Sequence, residues 1–154
     1  MNNTTLTLKL ERAISELRRG GTIVISDPNF GTSVLLVAAE LINKESVKKL
    51  SELALSRPNI ILSNNRCNAI GIKVASQSCS VLIDKSWTVH DILSLCMPLT
   101  GHKIPNINGV IEENNKNIVA HCLLILRQSR LLPAGLMSII SNVPPENINQ
   151  WAYK

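Results

Sequence analysis

The stretch Thr22-Ile23-Val24-Ile25-Ser26-Asp27-Pro28-Asn29-Phe30-Gly31-Thr32-Ser33-Val34-Leu35-Leu36-Val37-Ala38-Ala39-Glu40 decides the fold. Residues 22–26 form a short β-branched run, and such side chains suit the pleated, half-enclosed surface of a strand. Asp27-Pro28-Asn29 is turn chemistry: the proline ring presets the backbone, and Asp and Asn bond back to it. Residues 34–38 form a second uninterrupted apolar run of strand length. The segment therefore predicts two buried strands joined by a short loop.

Upstream, Leu10, Ala13, Ile14 and Leu17 recur at helical spacing, and Gly20-Gly21 supplies a C-terminal stop. Downstream, Val47, Leu50, Leu53 and Ala54 make one helix face, with Lys48, Lys49 and Glu52 toward water. Residues 59–62 after Pro58 read as a strand, residues 64–70 as a short helix closed by Gly71, and residues 80–83 as another strand. Thr88 with Asp91 three positions on is capping-box-like and opens a helix running to Cys96, before Pro98. Residues 98–109, with two prolines and two glycines, read as an exposed loop. Residues 117–130 predict a long helix with Ile118, Cys122, Ile125 and Leu126 inward and Pro133 as its end, followed by a last strand at 136–140. Strands alternating with helices argue for an α/β or α+β fold with a mixed sheet. No repeat or linker divides the chain, so one domain over residues 1–142 with a polar tail at 143–154 is expected.

Composition narrows the function classes. Apolar residues make up 45% of the 154-residue chain and aromatics 3%, so the core is aliphatic and large enough for one domain. Sixteen Lys and Arg against eleven Asp and Glu leave a net charge of +5. Nucleic-acid binders concentrate such charge in a stripe with stacking aromatics. Here the clusters are only Arg18-Arg19 and Lys48-Lys49, which argues for an ordinary surface and no nucleic-acid partner. The longest apolar run, residues 34–39, is far too short to cross a bilayer, so no membrane partner is expected. Cys67, Cys79, Cys96 and Cys122 lack Cys-x-x-Cys and zinc-ligand spacing, and read as buried, reduced thiols of a cytoplasmic protein. His121, one position off its apolar stripe, has no acid or second His at helical spacing and reads as structural, while His90, after a helix start, reads as solvated. Asn29-Phe30-Gly31-Thr32-Ser33 has a single glycine, which makes a poor phosphate cradle and a plain turn.

The segment Ala13-Ile14-Ser15-Glu16-Leu17-Arg18-Arg19-Gly20-Gly21-Thr22-Ile23-Val24-Ile25, leading through the loop to Val37-Ala38-Ala39-Glu40, resembles in arrangement the start of the 3,4-dihydroxy-2-butanone 4-phosphate synthase family. Gly101-His102-Lys103-Ile104-Pro105 resembles that family's Gly-His-Val-Phe-Pro segment. Leu131-Leu132-Pro133-Ala134-Gly135-Leu136-Met137 resembles its Pro-Ala-Gly-Val-Leu end, and the order of these motifs matches across residues 7–140. The resemblance implies a single-domain, mixed-sheet α/β sandwich of the synthase type. It also implies a riboflavin-pathway setting, in which the family converts ribulose 5-phosphate to formate and dihydroxybutanone phosphate. The family works as a homodimer with magnesium or manganese, and the domain is often fused to GTP cyclohydrolase II.

The same resemblance implies that the site has largely gone. The family's first loop is densely acidic and binds divalent metal; here the loop is two residues shorter and only Asp27 is acidic. The family's catalytic histidine falls on Ile118 and a further glutamate on Ile139. His102 is the one polar catalytic position retained, and Thr88 and Asp91 loosely match a substrate-contacting segment. Enolising a sugar phosphate and releasing formate needs a metal to polarise oxygens and a base to move protons. Losing both should leave essentially no turnover. The expectation is a catalytically inactive, cytoplasmic, synthase-like domain with no cofactor of its own, working as a homodimer or as a scaffold for GTP cyclohydrolase II. The alternatives are an active or altered lyase built on His102, and an unrelated α/β binding protein.

Overall fold

The two apolar runs at residues 22–38 pair with each other. In the computed structural model, which describes residues 3–27, 32–53, 58–72, 78–97, 103–107, 110–111 and 116–140, β1 (Ile23–Asp27) and β2 (Thr32–Ala38) lie antiparallel, from Ile23 opposite Leu36 to Asp27 opposite Thr32. Pro28 and Asn29 of the expected turn lie outside the described residues. The other strands are β3 (Asn59–Ser63), β4 (Ser78–Leu82), β5 (Val110–Ile111) and β6 (Ala134–Ile139). They form one six-stranded sheet in the order β1-β2-β6-β3-β4-β5, the last strand in sequence lying between β2 and β3.

The described residues also form five α-helices, α1 (Asn3–Arg18), α2 (Lys44–Leu53), α3 (Asn64–Ala69), α4 (Val89–Cys96) and α5 (Lys116–Gln128), and a short 3-10 turn at Ala39–Leu41. Because side chains alternate along a strand, the sheet feeds two cores. On one face Val24, Leu35, Val37, Ile60 and Leu136 pack against Leu50 of α2, Cys67 of α3 and Ile92 and Leu95 of α4. On the other, Ile23, Val34, Leu36, Ile61 and Met137 pack against Ala13 and Leu17 of α1 and Cys122 and Leu126 of α5. The result is a three-layer sandwich, the α+β form of the expected class.

The mixed sheet expected from the sequence is corrected, since among the described residues every strand pairing is antiparallel. Antiparallel sheets commonly leave one face wet and alternate apolar with polar residues. Here helices cover both faces, and Val34 through Ala38 are all fully buried. The resulting unbroken apolar runs imitate strands of a parallel sheet.

Three helices end in Schellman motifs, in which a left-handed residue turns the chain and two N–H groups close on the last carbonyls. Gly20 and Gly71 fill that position after α1 and α3 with φ of 81° and 85°. Gly20 N donates to Leu17 O and Gly21 N to Glu16 O, while Gly71 N donates to Asn68 O and Ile72 N to Cys67 O. After α5 the left-handed residue is Arg130, φ 59°, with Arg130 N bonding Arg127 O and Leu131 N bonding Leu126 O. This corrects the expectation that Pro133 ends the helix, because the chain has already turned at Arg130. Gly135 serves packing instead: a Cβ there would stand 2.9 Å from Leu36 Cδ1 and 3.2 Å from Leu126 Cδ1, so its absence lets α5 close on the sheet.

Two further expectations change. Leu10 is 41% exposed, so it lies outside the buried stripe that Ala13 and Leu17 form on α1. Cys67 and Cys79 are joined in a disulfide and are not free thiols; Cys96 and Cys122 remain free and buried. Their meeting depends on α3 folding back over β4, which sequence spacing does not reveal. The tail at 143–154, with the boundary at 142, lies outside the described residues. Among those described, no helix is long and apolar enough to cross a membrane.

Candidate functional site

The face covered by α1 and α5 holds the positions that the resemblance makes catalytic. Ile118 sits in the first turns of α5, is 4% exposed, and belongs to the same apolar cluster as Val34, Leu36 and Met137. Ile139, near the end of β6, lies opposite Val34 of β2 and packs against that cluster. The two isoleucines thus share one hydrocarbon core on this sheet face, and α5 presents Val119, Cys122 and Leu123 to the same core. Burial pushes the Cys122 thiol up to about 12, so it stays protonated and inert.

One polar side chain on this face was missed by sequence reasoning. Asn59, the first residue of β3, lies opposite Met137 and Leu82, is buried, and its Oδ1 has no hydrogen-bond partner among the described residues. The signal available was an Asn opening an apolar strand after Pro58, which reads only as a strand start. Ser138 Oγ is the counterpart on the opposite face, beside Leu35.

Thr88 and Asp91 belong to the other helix layer. Thr88 Oγ1 accepts from Asp91 N at 3.1 Å and Thr88 N donates to Asp91 Oδ2 at 2.9 Å, a complete capping box at the start of α4. The next turns of that helix place Ile92, Leu95 and Cys96 in the core facing away from Ile118 and Ile139. The structure therefore does not gather Thr88 and Asp91 on the face that carries the two isoleucines. His102 lies outside the described residues; the adjoining Lys103 and Ile104 are exposed. His90 and His121 are exposed, His121 on the outer face of α5.

A polar groove of about 470 Å³ lies elsewhere, at the start of β1, where Glu16, Gly20 and Gly21 face Asn43, Ser46 and Lys49. Asn43 Oδ1 accepts from Ser46 N, and Asn43 N donates to Ser46 Oγ, both at 2.9 Å, so the N-terminus of α2 is already capped there. The groove's lysines are exposed, and it is at the end of β1 opposite the loop implicated by the resemblance.

Among the described residues no three His, Cys, Asp or Glu side chains come together. With Ile118 and Ile139 where the resemblance calls for a histidine and a carboxylate, the described residues do not fit a divalent-metal site. Among the described residues this face presents aliphatic side chains, the protonated Cys122 thiol and the Asn59 amide.

No family model matches the chain, and no curated protein matches it. Solved structures do. The chain is similar to a 3,4-dihydroxy-2-butanone 4-phosphate synthase of Candida albicans, with 18% identity and a TM-score of 0.64 over 94% of this chain and 83% of that one. A synthase in complex with two magnesium ions matches at 16% identity and a TM-score of 0.63, covering 85% of this chain and 74% of that one. A two-domain synthase from A. baumannii matches at 13% identity and a TM-score of 0.61, over 94% of this chain and 49% of that one. At these identities the likeness is one of fold: the chain has the mixed α/β architecture of these synthase structures.

Proposed function

We propose that the chain is a synthase-fold domain of the riboflavin pathway that has lost the lyase reaction and acts through association. One observation carries this reading: Ile118 and Ile139 are packed in a single hydrocarbon core at the positions where the resemblance calls for a proton carrier and a carboxylate. A carbon-skeleton rearrangement with formate release needs charge stabilisation and proton transfer at the reacting atoms, and the buried Ile118 and half-buried Ile139 supply neither.

Assembly takes the place of chemistry in this reading. The proposed form is a homodimer in the cytoplasm or a scaffold for GTP cyclohydrolase II, with no cofactor of its own. The similarity to half of a two-domain synthase supports a domain that works beside another. The competing reading is an altered lyase built on His102, with Thr88 and Asp91 contacting substrate in addition to capping α4.

The test is formate release from ribulose 5-phosphate with magnesium. No turnover above background is expected. Turnover that disappears in His102→Ala would establish the altered lyase and sink the non-catalytic reading. Light scattering tests assembly: a mass near 17 kDa at all concentrations, together with no cyclohydrolase recovered by pull-down, would overturn the associative role.

A further inference from the structure

Residues 66 and 67, adjacent on α3, tie that helix to two other elements. Arg66 Nε donates to Leu95 O and its Nη2 to Ser94 O, both at 2.8 Å, holding the last carbonyls of α4. Cys67 is bonded to Cys79 of β4, twelve residues on. The Cys67 carbonyl also accepts from Ile70 N and Ile72 N, which closes the end of α3. One disulfide therefore anchors the helix that positions the Arg66 clamp.

We propose that Cys67 and Cys79 form a reversible thiol–disulfide joint, which when closed fixes α3 against β4 and the end of α4, and when opened by a dithiol reductant loosens that corner of the core. A thiolate of the dithiol attacks one of the two sulfurs, and the other cysteine leaves as a thiolate. The second thiol of the reductant then resolves the mixed disulfide. Two electrons pass from the dithiol, which ends as a disulfide, and the protein ends with two thiols. The joint does not depend on whether lyase chemistry survives.

Three observations support the assignment. Both sulfurs lie in one core cluster with Ile92 and Leu95 of α4, so freeing them alters the packing that α4 shares. The bond is buried, and Cys67 sits on α3, a six-residue helix whose Asn65, Asn68 and Ala69 face solvent. Short, half-exposed helices open locally at low free energy. The two other cysteines do not compete: burial pushes both thiols up to about 12, against a small opposing pull on Cys96 from Arg66, so neither offers a thiolate at neutral pH.

The experiment starts from wild-type protein equilibrated with a glutathione disulfide buffer and then freed of it. Titration under denaturing conditions should find two thiols, and four after treatment with a dithiol. The reduced protein should melt roughly 5–10 °C lower, the range expected for a loop of this length. Amide exchange should quicken in α3 and α4 and stay unchanged in α1 and α5. The double variant Cys67→Ser, Cys79→Ala should melt like the reduced wild type and ignore the dithiol. Four thiols in the oxidised wild type overturn the proposal without any variant. So do equal melting temperatures of the two redox forms, or an exchange change centred on α5.

Discussion

Arg66 Nε donates a 2.8 Å hydrogen bond to the carbonyl of Leu95, 29 residues further along the chain. Its Nη2 reaches Ser94 O at the same distance, so one planar guanidinium serves two carbonyls at the C-terminus of α4. Helix ends leave such carbonyls without intrahelical partners, and a cation there also complements the helix dipole. Hydrogen bonds from charged donors contribute about 1.5–3 kcal/mol. Arg66→Ala should lower stability by about 2 kcal/mol in denaturant titration. Arg66→Lys should recover only part of it, since an ammonium cannot match the fork. Wild-type stability in Arg66→Ala would mean that water replaces the clamp at no cost.

Arg130 holds φ of 59° to close α5, a conformation that costs a residue with a Cβ about 1–2 kcal/mol. The analogous positions after α1 and α3 are glycines. The Arg130 side chain is exposed, so little packing is lost with it. Arg130→Gly should raise stability by about 1 kcal/mol, a gain of roughly 2–4 °C in melting temperature. A lower melting temperature would show that the arginine side chain stabilises more than its backbone conformation costs.

Restoring the family residues should harm the fold. Ile118→His with Ile139→Glu puts two polar groups against an aliphatic core beside Val34 and Met137. Burying an unpaired polar group costs about 1–3 kcal/mol on mutational scales, and lost isoleucine packing adds to it. The double variant should melt clearly below the wild type and still release no formate. Unchanged melting together with magnesium-dependent sugar-phosphate binding would show that this face is an open site and not a filled one.

Alkali should unfold the protein earlier than its charge alone suggests. Cys96 and Cys122 have folded pKa values raised by burial to about 12 from 9.0. Above pH 9 the unfolded chain releases these protons while the folded chain keeps them. Stability is thus full below pH 9 and falls as pH rises toward 12, by about 1.4 kcal/mol per pH unit for each thiol. Urea midpoints of Cys122→Ala should show a shallower loss between pH 9 and 11 than the wild type, and parallel curves would rule the thiol out as the cause.

The sequence by itself determined what local chemistry determines. The β-branched run before Asp27, the apolar run 34–38, Gly20, Gly71 and the Thr88–Asp91 pair act within one turn or strand, and each element lies where its residues place it. The likeness to synthase structures was legible too, because most of residues 13–27, 32–40 and 131–137 lie in helices, helix ends and strands that the fold needs. Only the tertiary structure decided strand direction. An apolar run buried on both sides reads alike in parallel and antiparallel sheets, and its direction follows from which strands meet. It also brought Cys67 to Cys79, placed Arg66 on Leu95, left Asn59 Oδ1 buried without a partner among the described residues, and set Ile118 and Ile139 in one core. Those relations join residues far apart in the chain. Burial, pairing and desolvation depend on everything packed around a side chain, and a stretch of sequence names only its neighbours along the backbone.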